Sequence, residues 1–294
     1  MKIGVIVPQG WTGEYRGRIA VDAWARTRSV ARQSEALGFE SIWLFDHFHT
    51  VPRPTLEITF EAFTSLAALA AETSRVRLGH VVLCAAYRNA ALTTKMISTL
   101  DAISAGRAEL GLGAGWKRDE WRAYGYGFPD APERLAILKD TLEVARAMMT
   151  DDRATYAGKH LHIAGAINRP RPVQQPRIPI MVGGNGPNVT WRLAARYADE
   201  LNLDGLTPAE VKDALPTIRA RCEEIGRDPA SLSVSVHVWW EQLVASGAAR
   251  SDMIAAYRDL GISRVIALVR DSADSDEALE GWAQDCRSAG AELE

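Results

Sequence analysis

Short apolar runs rich in Val, Ile and Leu alternate with longer helical patterns eight times along the 294 residues. Such alternation constrains the architecture before any single residue is weighed. Each run needs a parallel neighbour, and each helix must cross back over the sheet to supply one. The first run is Ile3–Val7, and the helix behind it carries Val21, Trp24, Ala31 and Leu37 before Gly38 stops it. "FESIWLFDHF", "RVRLGHVVLC" and "RAELGLG" are the next three runs. Between them lie a helix near Phe60–Glu72 and one that aligns Leu92, Met96, Leu100 and Ile103. After the fourth run, "DAPE" opens a helix with Asp130 as N-cap, Pro132 in the first turn and Glu133 at the capping-box position.

The period pauses between about 150 and 178, where Pro and Gly interrupt "ATYAGKHLHIAGAINRPRPVQQP". This reads as an insertion, a hairpin lying over the body. "IPIMVGG", "ADELNLDG", "LSVSVHVWW" and "ISRVIALVRD" complete the eight. Eight strand–helix units predict an α/β fold: a single (β/α)8 TIM barrel over residues 1–294, with the insertion between the fourth and fifth strands. An open doubly wound sheet is the alternative, and it would carry its glycines at the first turn.

Net charge is −3, so no nucleic-acid or anionic-membrane partner is expected. No run reaches membrane-spanning length, and "MKIGVIVPQG" lacks the long apolar region of a signal peptide. Cys84, Cys222 and Cys286 form neither a disulfide framework nor a CxxC zinc site, and a reduced cytoplasm is the expected location. There is no HExxH or GxSxG. His47-x-His49 raises a metal-hydrolase reading, yet the fifth and sixth strand ends, "GGNG" and "NLDG", offer no histidine, so no metal site is expected.

In such a barrel the chemistry sits at the carboxyl ends of the strands. Those ends offer Asp46 and His47, then Gly113, Gly115 and Trp116, then Gly183, Gly184, Asn185 and Gly186. "GLGAGW" is not the dinucleotide fingerprint: its third glycine is displaced, and it follows the fourth strand instead of opening the fold. In "VGGNGPN" the glycines allow backbone N–H groups near a ligand, and Pro187 and Asn188 open a helix whose positive end suits a phosphate. A tight turn with no ligand is the alternative. Two glycine-lined mouths side by side suggest a long cofactor with a phosphate tail. His47 is the titratable candidate for proton exchange, against the alternative of a structural histidine. His80 and His237 fall within strands and read as buried, while His160 and His162 lie in the insertion.

"DHF", "YRNAALTTKMISTLDAISAGRAELGLGAGW", "IPIMVGGNGPNVTWRLAARYADELN" and "CEEIGRDPASL" together resemble the bacterial luciferase-like superfamily. Within it they are similar to the coenzyme F420-dependent oxidoreductases, from about Lys2 to Ser235. The resemblance implies a deazaflavin ring near Asp46, His47 and the backbone of Val81 and Val82, with a non-prolyl cis peptide at Val81–Val82 backing it. It puts the cofactor's tail on Gly113, Gly115, Trp116 and Gly183 to Gly186. It makes His47 the proton donor or acceptor beside the hydride, with Asp46 holding it or touching the ring. A small-molecule substrate and a homodimer are implied as well. The substrate pocket would be shaped by Val51–Glu61, by Lys159–Pro176 and by Trp239–Glu241. Arg88, Asn89 and Ala90 stand where many relatives have Arg-His-Pro, and Val51 stands where the sugar-phosphate dehydrogenases have tryptophan, which argues against glucose 6-phosphate. An FMN-dependent monooxygenase using reduced flavin and molecular oxygen is the same-fold rival, and a flavin-binding barrel without turnover is another.

Overall fold

The computed structural model describes residues 1–239 and 246–293. Its eight parallel barrel strands are β1 (Lys2–Ile6), β2 (Ser41–Leu44), β3 (Arg77–His80), β4 (Ala108–Gly113), β5 (Ile180–Gly183), β6 (Glu200–Asp204), β7 (Ser233–Val238) and β8 (Arg264–Ala267). They neighbour one another in chain order. The ring closes where β8 pairs with β1, Arg264 opposite Lys2. The fold is therefore the (β/α)8 barrel, not the open sheet. Among the described residues the helices are α1 (Ala20–Ala36), α2 (Ala62–Glu72), α3 (Ala90–Ile103), α4 (Arg118–Ala123), α5 (Ala131–Thr150), α6 (Thr190–Tyr197), α7 (Pro208–Glu223), α8 (Ala248–Asp259) and α9 (Asp276–Ser288). None is long and apolar enough to cross a membrane.

The two-residue period of the strands separates two cores. Val5, Ile42, Leu78, Leu110, Ile180, Leu201 and Val265 pack outward in the layer beneath the helices. Ile6, Trp43, Met181 and Ile266 fill the interior instead. Helix starts follow local chemistry. Asp130 accepts the Glu133 N–H at 2.9 Å. Thr207 and Glu210 form a full capping box ahead of α7. Asn89 caps α3 by accepting from the N–H groups of Ala91 and Leu92. On α1 the buried face is Ala23, Thr27, Val30 and Ala31, and Val21 is exposed.

The insertion contains an antiparallel hairpin, Ala154–Ala157 with His162–Ala166. It packs against Ala90 of α3 and Val144 and Met148 of α5, on the barrel's flank. Asp140 of α5 fastens it, accepting the Tyr156 hydroxyl and the His160 N–H, each at 2.7 Å.

A buried charge cluster plugs the opposite end from the strand carboxyl termini. Arg264 donates to both oxygens of Glu109, at 2.8 and 3.1 Å, and lies 3.5 Å from Glu200. Its guanidinium also sits over the Trp43 ring. Burial pushes Glu109 upward, but Arg264 and Arg77 outweigh it and hold the carboxyl low. Glu200, with a weaker share of the one guanidinium, is pushed up by burial and by the charge of Glu109.

Removing Arg264 leaves Glu200 without its cation and Glu109 with Arg77 alone, so Arg264→Leu should lower unfolding free energy by about 3–5 kcal/mol. Urea denaturation reads this, and a change within experimental scatter would dismiss the plug as a stabilising element.

Candidate active site

A cavity of about 250 Å³ opens at the carboxyl ends of the strands. Asp46, His47, Val81, Val82, Gly113, Gly115, Trp116, Gly183 and Gly184 line it, together with Trp11, Asn202, Asp204, His237 and Trp239. Asn185 and Gly186 stand outside that lining. Among the described lining residues none comes from Val51–Glu61 or from the insertion, which its contacts with α3 and α5 keep on the flank. Trp239 does line the cavity, whereas Trp240 and Glu241 lie outside the described residues.

The carboxylate that holds His47 is Glu120, on the short helix α4. Its Oε2 lies 2.8 Å from His47 Nδ1 and accepts the Tyr87 hydroxyl at 3.0 Å. Its Oε1 accepts the Phe48 N–H at 2.6 Å. Glu120 is fully buried. Burial alone would raise its pKa, but the bonds from His47, Phe48 and Tyr87 outweigh that and hold the carboxyl below the ordinary glutamate range. With the carboxylate ionised, Nδ1 carries the proton, and Nε2 is the nitrogen left for a ligand. The indole of Trp11 stacks on the imidazole at 4.4 Å, and Trp116 meets it edge-on at 5.8 Å.

Asp46 does not hold His47. Arg88 donates to both its oxygens, at 2.8 and 2.9 Å, and the Cys84 N–H donates to Oδ2 at 2.9 Å. The physical reason is a bidentate guanidinium within reach, which claims both carboxylate oxygens. Arg88 is itself shared with Glu61 at 2.7 Å. Asp46 thereby ties the end of β2 to the segment that follows β3.

That segment holds the Val81–Val82 peptide, which is cis. The side chain of Val82 lies in a notch made by two neighbouring strands. A Cβ on Gly113 would stand 2.5 Å from Val82 Cγ2, and one on Gly183 would stand 2.8 Å from Cγ1. So these two glycines receive a valine, where the sequence suggested backbone open to a ligand. Gly184, at φ +130°, leads toward the start of α6, where the N-cap Val189 makes no side-chain capping bond. Asn185 clasps the Asp204 backbone, donating to its carbonyl at 2.7 Å and accepting its N–H at 2.9 Å.

A second polar group comes from β6 and β7. His237 Nδ1 lies 2.8 Å from Asn202 Oδ1, and Nε2 lies 3.0 Å from Asp204 Oδ1. Trp239 Nε1 donates to the same Asp204 oxygen at 2.8 Å. His237 is buried, as its strand position suggests, but on the cavity side. Among the described residues no group of three or more His, Cys, Asp or Glu side chains is arranged to hold a metal ion.

Comparison with known proteins agrees with this architecture. The family model for luciferase-like monooxygenases matches residues 1–289. An F420-dependent glucose-6-phosphate dehydrogenase of Kineococcus radiotolerans is 32% identical over 232 residues, 76% of this chain and 66% of that one. Among solved structures, an F420-dependent secondary alcohol dehydrogenase in complex with an F420-acetone adduct superposes with a TM-score of 0.82 at 19% identity, covering 98% of each chain. The monooxygenase RslO1 from Streptomyces bottropensis superposes with a TM-score of 0.78 at 19% identity, covering 99% of this chain and 100% of that one. The chain belongs to the luciferase-like monooxygenase family.

Because Glu120 is held below its ordinary value of 4.5, its contribution to stability is complete above that pH and fades as pH falls through the lower folded-state value. Glu120→Gln should therefore cost about 1–3 kcal/mol at pH 7. The gap from wild type should shrink steadily below pH of about 4.5. Denaturant midpoints across pH 3–8 test this, and a gap that stays constant with pH would contradict an ionised Glu120.

Proposed function

We propose that this luciferase-like barrel is an oxidoreductase that moves a hydride between coenzyme F420 and a small organic substrate, with His47 exchanging the accompanying proton. The observation that carries this reading is the His47–Glu120 pair, one nitrogen anchored on a buried carboxylate and the other left at the cavity. The F420-dependent activities named for the relatives support the coenzyme.

The residues present fit such a group. Val81 and Val82 give an apolar floor, and Trp116 gives a wall. The first turn of α6 lacks a side-chain cap, and although its Trp191 N–H donates to the Gly186 carbonyl at 3.0 Å, the positive end of the helix suits an anionic tail. In this reading Asp46, Val81 and Val82 border the ring, while Gly113, Gly115, Trp116 and Gly183 to Gly186 follow the tail. Bound there, the deazaflavin supplies a carbon that gives or takes a hydride.

His47 does the proton work. Glu120 fixes its tautomer and stabilises the imidazolium when Nε2 takes a proton. Trp11, stacked on the ring, limits its rotation and keeps water from that face. Tyr87 and the Phe48 N–H satisfy Glu120, so the carboxylate needs no water of its own.

Two measurements test the reading. Fluorescence titration of apo-protein should give tight binding of F420 and weak binding of FMN. The reverse order would move the chain to the FMN-dependent monooxygenase reading. His47→Ala should keep F420 affinity and lower turnover by about 100-fold or more. Turnover near wild type with the coenzyme bound would remove His47 from proton exchange.

A further inference from the structure

β2 and β6 stand four places apart in a ring of eight, so His47 and Asp204 lie across the mouth from each other. On the Asp204 side the side-chain donors of the described lining residues are engaged by the protein. Trp239 Nε1 and His237 Nε2 both meet Asp204 Oδ1. Asn202 Nδ2 donates to Ser235 Oγ at 2.8 Å. The cavity's one lysine among the described lining residues, Lys117, donates to Asp119 Oδ2 at 2.9 Å and to the Pro52 carbonyl at 3.3 Å. Trp11 Nε1 is buried without a partner among the described residues, but it is neutral and belongs to the His47 side.

Acceptor capacity is what is left on the β6 and β7 side. Among the described residues, the side chains that bond Asp204 both meet the same oxygen, Oδ1. Its side chain is half exposed, 51%, while its backbone is clasped by Asn185 on both polar atoms. The carboxylate is thus fixed in place and turned to a ligand-accessible mouth. Burial would raise its pKa, but the His237 and Trp239 bonds outweigh this and keep it ionised. Among the described lining residues no uncommitted cation stands beside this fixed anion, and such an anion attracts hydrogen-bond donors and repels phosphate and carboxylate.

We propose that Asp204, oriented by His237 and Trp239, selects the substrate by accepting a hydrogen bond from its hydroxyl or ammonium group and by turning away phosphorylated or carboxylated molecules. This deepens the oxidoreductase reading and rests on it for the statement that the cavity receives substrate. His237 is a positioning residue here, acting through Asp204. The selection also separates this chain from relatives that act on a sugar phosphate.

The test is equilibrium titration of F420-loaded protein with four probes on one skeleton: 1,2-propanediol, 1-amino-2-propanol, 3-hydroxybutyrate and 2-hydroxypropyl phosphate. The first two should bind at least about tenfold tighter than the two anions. Asp204→Asn keeps the shape and removes the charge. It should bring amine and anion within about threefold of each other while F420 affinity stays within about twofold of wild type. The diol-against-amine comparison separates a hydroxyl from an ammonium ligand. Anions that bind as well as the diol and amine overturn the proposal, as does selectivity unchanged in Asp204→Asn. An equal loss of F420 affinity in that variant also overturns it, by assigning Asp204 to the coenzyme. The same titrations on protein without F420 keep the test decisive should the coenzyme fail to bind, a result that would count against the oxidoreductase reading alone.

Discussion

The buried carboxylate of Glu120 is the point on which the site's geometry depends. It gathers an imidazole from the end of β2, a backbone N–H one residue further on and a phenol from the segment after β3. Three donors from two strand ends thus converge on one anion carried by a third. A carboxylate removed from water is tolerable only when such donors replace its hydration. The same requirement forces the donors into place. Phe48 must turn its N–H inward, and that turn sets the direction of the neighbouring His47. His47 is thus oriented by the solvation demands of a residue that does not line the cavity.

A second constraint is steric and lies under the cavity. Val82 sits between Gly113 and Gly183, so β3, β4 and β5 are locked in relative height at their carboxyl ends. The short continuation Leu83–Cys84 pairs with Leu112–Gly113, and Asp46 accepts from the Cys84 N–H. Steric fit and hydrogen bonding therefore fix the same segment from opposite sides. The glycines at these two strand ends are required by close packing within the protein. A ligand tail, if it runs there, passes over a surface already shaped by Val82.

The architecture was legible in the sequence because eight repeats of one pattern leave few closed arrangements, and the strand ends then nominate the cavity. Nine of the proposed site residues do line it. What was not legible has specific causes. Glu120 sits in "KRDEW", where charges crowd a six-residue helix too short to show a period. No local signal distinguishes it from Asp119, whose partner is the neighbouring Lys117. His237 looked like core because its strand is buried on both faces, and alternation alone does not say which face meets a cavity. Asp46 looked like the partner of His47 because it adjoins it, but the choice was made by Arg88, 42 residues away. Val21 is apolar and still exposed, since the buried stripe of α1 runs through Ala23, Thr27, Val30, Ala31 and Ser34 instead.

Burial assigns different work to two acids, Glu120 behind His47 and Asp204 at the mouth. Glu120 is fully enclosed, with donors on both oxygens, so its charge can act only on the groups bound to it. That suits it to orient His47 and to stabilise the proton exchange proposed there. Asp204 is half exposed, with its side-chain bonds concentrated on one oxygen, so its charge extends into the space a ligand would enter. That suits it to the selecting role proposed for it. The two roles follow from environment more than from residue type, as in other sites where paired carboxylates are driven apart by their surroundings. The consequence for evolution of the pocket is unequal. Changing Glu120 disturbs three strand ends at once. Changing Asp204 leaves His47 and its carboxylate untouched, so specificity can drift at β6 and β7 while the chemistry at β2 and α4 stays fixed.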